Sequence, residues 1–225
     1  RSSRGLGDVY KRQILDFHFD YIPPYSYLAW KRLGDFAPAH GLRVVPKPTM
    51  LAALLNHLGH RGPGEIPPKR VYMFKDTLRT AAELGVPFQP PRTHPFNPLA
   101  SLRATLLDMD DDVRVSLVTR LFDATWAESL VVGAPELVAE LCAEVGVPDA
   151  LERIKDPAVK QRLYDANDEA IARGVFGVPT MIVDGELFWG VDSFPHFERF
   201  LAGNDPIQPG DVERWGAIPA SARRS

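Results

Sequence analysis

Along this chain the spacing of apolar residues changes from two to 3.6, stays helical for roughly 120 residues, and then returns to two. That order limits the fold more than any single motif. The first stretch is ILDFHFD, residues 14–20, in which Leu15, Phe17 and Phe19 alternate with Asp16, His18 and Asp20. Such alternation places one set on each face of a strand. Pro23 and Pro24 then open a helix, because proline is tolerated in a first turn whose N–H groups have no intrahelical acceptor. Tyr27, Leu28, Trp30, Leu33 and Phe36 supply the apolar stripe of this helix, and Pro38 with Gly41 ends it. GLRVVP, residues 41–46, reads as a second short strand. Strand, helix and strand at this spacing form a βαβ unit with parallel strands and a right-handed crossover.

Helical spacing then runs through segments near 49–58, 67–84, 97–107, 112–128, 134–145 and 157–173, separated by Gly or Pro. The last is framed by Asp156 as N-cap, Pro157 at the first helical position and Gly174 as the stop. Its stripe is Val159, Leu163, Ala166 and Ala170. VPTMIVDGELFWG, residues 178–190, holds two β-rich runs joined by Asp184-Gly185, a pair suited to a hairpin turn with positive φ. A short amphipathic helix follows, and residues 204–225 read as a loose tail. A thioredoxin-like fold is βαβ plus ββα. An α/β chain of that kind, with a large all-helical insertion at about residues 49–165, has this order, and a generic α/β domain is the alternative on pattern alone.

The 225 residues are enough for one sizeable core. No apolar run approaches the roughly 18 to 20 residues of a membrane span, so no membrane partner is expected. A formal charge of −3 gives no basic field for nucleic acid. The single cysteine, Cys142, excludes an intrachain disulfide and a CxxC pair, and its helical context suggests a buried structural thiol. A reducing, cytoplasmic setting fits that usage. SRGLGDVYKRQ, residues 3–13, has no apolar periodicity, and its back-translation resembles a transposase adapter used in sequencing libraries. Residues 1–13 are therefore expected to be adapter-derived, the alternative being a native disordered basic tail, and the domain is expected to span 14–203.

With FDYIPPYSYLAW at one end and ARGVFGVPTMIVDGELFWGVD at the other, and EIPPKRVYMFKD and HPFNPLASLR between, the chain resembles the DsbA-like thioredoxin superfamily. Within it, the chain is most similar to 2-hydroxychromene-2-carboxylate isomerases and kappa-class glutathione transferases. The resemblance implies glutathione as cofactor, a small aromatic-derived substrate, and, by analogy with relatives that are often dimers, a homodimer. It also implies that the helix start after the first strand holds the glutathione thiolate. Pro179 is expected to be cis, with Val178 offering its backbone to the peptide. Val191 and Asp192 match where relatives hold the γ-glutamyl end, Lys69 matches a lysine that pairs with the peptide's carboxylate, and His60 matches a glutathione contact. Asn97 matches a residue near the substrate cleft, although a loop asparagine also suits a turn. Taken alone, Lys69 reads as a solvated charge and Asp192 as an N-cap. His57 and His60 lack a third ligand, so no metal is expected. Asp108, Asp110, Asp111 and Asp112 read as a solvated helix entry.

One position departs from the family pattern. Where relatives have S-P-Y-S this chain has P-P-Y-S, so Pro23 stands at the serine that hydrogen-bonds the sulfur. Both the hydroxyl and a backbone N–H are lost there, leaving Tyr25 and Ser26 as the remaining donors. Three readings follow: a glutathione-dependent isomerase or kappa-like transferase working through Tyr25 or Ser26, a glutathione-binding protein without catalysis, or a sequence error at Pro23. A thiol-disulfide oxidoreductase is a poor fit, because the motif holds no cysteine.

Overall fold

A computed structural model describes residues 13–219. The chain divides into a larger unit ending at Asp192 and a smaller one beginning at Ser193. The larger unit opens with β1 (Gln13–Phe19), α1 (Pro24–Ala39) and β2 (Leu42–Pro48). A helical stretch follows, made of α2 (Leu51–Leu58), α3 (Pro67–Leu84), α4 (Leu99–Thr105), α5 (Asp111–Trp126), α6 (Pro135–Glu144), α7 (Ala150–Arg153) and α8 (Pro157–Ala172). Strands β3 (Thr180–Val183) and β4 (Glu186–Trp189) close the unit. The sheet order is β2-β1-β3-β4, with β1 parallel to β2 and antiparallel to β3. This is the expected thioredoxin-like α/β arrangement with helices inserted between its halves.

β1 is central, and its alternation explains what covers it. Leu15, Phe17 and Phe19 are fully buried on one face. There Phe17 packs on Trp30 of α1 at 5.5 Å between ring centroids, and Phe19 on Phe122 of α5 at 5.3 Å. Full burial of each such ring contributes about 1.5 to 3 kcal/mol. A second cluster joins Leu54 of α2, Ala170 of α8 and Ile182 of β3. The polar side of β1 is also buried at His18 and Asp20, so the alternation does not mark a face open to water.

Local signals account for the element ends. Asp156 accepts the N–H of Ala158 at 2.8 Å and caps α8. Asp184 and Gly185 take φ of 50° and 85°, the two positive values that a tight hairpin between β3 and β4 requires. Gln13, placed with the tail by its sequence, instead begins β1 opposite Leu42, and its side chain donates to Asp184. The rest of that expected adapter segment, residues 1–12, lies outside the described residues. The four-residue α7 was not signalled by periodicity.

The smaller unit holds α9 (Phe194–Leu201), with Phe194 and Phe197 buried, and α10 (Asp211–Gly216). The helix α10 corrects the expectation of a loose tail over its six residues. It forms because Gly210 takes φ 88° and the Asp211 carboxylate accepts the N–H of Gln208 at 2.7 Å.

Candidate active site

The start of α1 is built by two prolines. Pro23 is the N-cap, with φ −73° and ψ 124°, and Pro24 occupies the first helical position. Neither has an N–H. The N–H of Ser26 donates back to the carbonyl of Pro23 at 3.0 Å. Of the two backbone donors expected here, only that of Tyr25 is without a partner among the described residues. The helix dipole still favours negative charge at this end, but the donors that usually accompany it are reduced to one.

The hydroxyls are placed just as narrowly. Tyr25 Oη donates to Asp76 Oδ2 at 2.8 Å. Burial, then the carboxylate of Asp76, push the phenol above its ordinary range, and Asp192 adds a smaller push in the same direction. Tyr25 therefore acts as a neutral donor already engaged by Asp76. Ser26 Oγ is buried and has no partner among the described residues.

The turn before the prolines is fixed from three sides. Asp20 accepts the N–H of Ile22 at 3.1 Å and that of Leu51 at 2.9 Å, so one buried carboxylate ties the turn to the start of α2. Burial pushes its carboxyl up to about 6, against the lowering effect of those N–H groups. Trp126 Nε1 donates to the carbonyl of Tyr21 at 3.0 Å. His94 Nε2 lies 3.1 Å from the carbonyl of Ile22. Beside this turn is a cavity of about 300 Å³, lined by Pro23 and Pro24, Leu55 of α2, the Gly62–Glu65 turn, Met73 and His94. Its walls are largely apolar side chains.

The remaining expected residues fall into three groups. Lys69 and Tyr25 line one hollow of about 420 Å³ together with Tyr72 and Met73. The Val178–Pro179 peptide bond is cis. The carbonyl of Pro179 accepts the N–H of Gly190 at 2.9 Å, whereas the N–H and C=O of Val178 have no partner among the described residues. The carbonyl of Val191 lies 3.5 Å from Arg32 Nη1, and Asp192 folds over Gly190, where an added Cβ would stand 2.5 Å from its Oδ1. His60 is exposed just past α2 and lines neither hollow. Asn97 Oδ1 accepts the N–H of Leu99 at 3.0 Å, the turn role, and borders a different hollow with Arg103 and Lys155.

Asp108 and Asp111 are exposed and pair with Arg162 and Arg43, consistent with a solvated helix entry. Among the described residues no group of three metal-ligating side chains occurs, and no helix is long and apolar enough to cross a membrane. Cys142 is buried, and burial pushes its thiol up to about 11. Asp20, Asp76, His94 and Trp126 were not singled out from sequence. Asp20 follows β1 within FDYIPPYSYLAW, Asp76 closes EIPPKRVYMFKD and His94 opens HPFNPLASLR, so these three lay within stretches that carried the resemblance without a role being read for them.

Comparison with known proteins agrees with the fold. The profile of the DSBA-like thioredoxin domain matches residues 14–202. A 2-hydroxychromene-2-carboxylate isomerase of Sphingobium xenophagum is 34% identical over 84% of this chain and 98% of its own length. Glutathione s-transferase kappa 2 of Caenorhabditis elegans is 31% identical over 85% of this chain and 92% of its own. A solved structure of a 2-hydroxychromene-2-carboxylate isomerase superposes with a TM-score of 0.77 at 27% identity, covering 91% of this chain and 98% of that one. The chain belongs to the DsbA-like thioredoxin family, alongside the 2-hydroxychromene-2-carboxylate isomerases and kappa-class glutathione transferases.

Proposed function

We propose that this protein is a glutathione-dependent isomerase of the 2-hydroxychromene-2-carboxylate type, acting on an aromatic-derived substrate. The observation that carries the reading is the 300 Å³ apolar cavity opening on the first turn of α1, in a chain whose Val178–Pro179 bond is cis. Glutathione suits the residues present. The unpaired N–H and C=O of Val178 match an extended peptide backbone. Asp192 suits an ammonium and Lys69 a carboxylate. The Tyr25 N–H and the α1 dipole favour a thiolate. Bound glutathione would supply a nucleophilic sulfur that adds reversibly to the substrate and so permits rotation about a double bond.

This chain's own residues orient and exclude water. The turn at residues 20–22 is held by Asp20, Trp126 and His94, which fixes where α1 begins. Leu55, Met73 and the proline rings give the apolar walls that an aromatic ring requires.

A second reading, a glutathione-binding protein without isomerase activity, is favoured by the single free N–H at α1 and the engaged Tyr25 hydroxyl. Isomerisation measured for the wild type and Pro23→Ser separates the two. Activity in the wild type supports the first reading, and activity only in the variant favours the second or a sequence error at Pro23. Absence of glutathione binding by calorimetry would refute both.

A further inference from the structure

We propose that Asp20 is a positioning residue for the substrate: its two carboxylate oxygens hold the two walls of the apolar cavity at the spacing an aromatic ring needs. This rests on the reading of the cavity as the ring's site and needs no glutathione. One wall is Ile22, Pro23 and Pro24, and the other is Leu51, Ala52 and Leu55 of α2. Asp20 Oδ1 accepts the N–H of Ile22 at 3.1 Å and Oδ2 that of Leu51 at 2.9 Å, so each oxygen holds one wall. Neither wall has a local substitute for that bond. Ile22 carries the last N–H before two prolines, which have none. The N-cap of α2, Met50, has no capping side chain, and Asp20 satisfies the helix start from 31 residues away in sequence.

The carboxylate holds both walls, and the acid does not. Ionised, both oxygens accept; protonated, one oxygen carries a proton and accepts more weakly, so one wall is released. A ring must then restore that wall as it binds. Asp20 is fully buried, and burial pushes its carboxyl up to about 6 against the N–H groups of Leu51, Ile22 and Tyr21. Ring binding therefore strengthens as pH rises through that value, and by reciprocity the bound ring lowers it. The charged groups around Asp20 are engaged with one another. Lys47 of β2 pairs with Glu169 of α8, and Arg173 pairs with Asp16 of β1. His18 of β1 is lowered by burial to about 4 and is neutral in this range. The Tyr21 hydroxyl lies 2.8 Å from Thr105 Oγ1, and α5 presents the uncharged Phe122 and Trp126 to Phe19 and Tyr21. In the cavity itself the titratable residues are His94, held below its ordinary value by burial, and Glu65.

The test is calorimetry of naphthalenemethanol, an uncharged bicyclic alcohol, binding to wild type and to Asp20→Asn without glutathione. Asn keeps one accepting oxygen and turns an N–H₂ toward the other wall, so it mimics the acid form at every pH. One hydrogen bond of ordinary strength corresponds to about a tenfold change in affinity. The ratio of wild-type to variant affinity, in which contributions of His94 and Glu65 cancel, is expected to fall from about tenfold at pH ~8 to about twofold at pH ~5. A ratio near one throughout, or one that does not change with pH, would overturn the proposal and leave the cavity as the ring's site. Where the variant fails to fold, carboxyl ¹³C NMR of the wild type decides. The Asp20 midpoint is expected to fall by about one pH unit when the alcohol is bound, and an unmoved midpoint would overturn the proposal. Wild type that binds no naphthalenemethanol at any pH would overturn both the proposal and the reading of the cavity, whereas glutathione binding is measured separately.

Discussion

Replacing Asp20 by Asn changes how the stability of this fold depends on pH, and the size of the effect follows from burial. Asp20 is fully buried, and its carboxyl titrates at about 6 instead of 3.8. A native pKa raised above the unfolded value means that the folded state holds the proton more tightly. Stability from this group is therefore complete below pH ~4 and is lost as pH rises through about 6. The displacement is worth about 3 kcal/mol. Two residues earlier on the same face, burial lowers His18 from 6.5 to about 4, which has the opposite sign: its neutral form is the native one, so stability is gained as pH rises over nearly the same window. The two slopes nearly cancel in the wild type. In Asp20→Asn the His18 slope is left uncompensated. The unfolding free energy of the variant relative to wild type is expected to rise by about 3 kcal/mol between pH ~4 and ~6.5. Urea denaturation at several pH values measures this difference. A relative stability that does not change with pH would refute the assignment of a raised carboxyl to Asp20.

Three further outcomes follow from the same contacts. Tyr25→Phe removes the donor to Asp76 and leaves that carboxylate with one partner fewer, so it is expected to cost about 1 to 2 kcal/mol in urea denaturation. Glutathione affinity should stay within about twofold, because the hydroxyl is already engaged. Gly190→Ala places a methyl 2.5 Å from Asp192 Oδ1 at φ +87°, and is expected to lower stability by about 1 to 3 kcal/mol, read from the urea midpoint, while weakening glutathione binding through the displaced carboxylate. Cys142, buried with its thiol pushed up to about 11, is expected to resist thiol reagents at neutral pH until denaturant exposes it, which a colorimetric thiol assay follows.

Much of the fold was legible because its signals are local. The alternation in β1, the prolines opening α1, the Asp156 cap and the Asp184-Gly185 turn each act within a few residues, and each is found where its chemistry puts it. The burial of His18 and Asp20 was not legible, because an alternating strand looks half-exposed until the helices on its second side are known. The site divides in the same way. Pro23, Tyr25, Ser26, Val178 and Pro179 carried motif signals. The Tyr25–Asp76 bond joins residues 51 apart and the His94–Ile22 bond residues 72 apart, distances over which no periodicity speaks. Asn97 shows the converse. Its motif was visible, but the chain folds it into a turn, where it borders a hollow with Arg103 and Lys155.

The central claim is that glutathione lies between the first turn of α1 and the backbone of Val178. Amide NMR of the ¹⁵N-labelled protein titrated with reduced glutathione tests it most directly. The account predicts saturable shifts at the N–H groups of Tyr25 and Val178, with slowed hydrogen exchange at Val178 in the complex. Saturable binding that leaves both amides unmoved, or no binding at all, would contradict it.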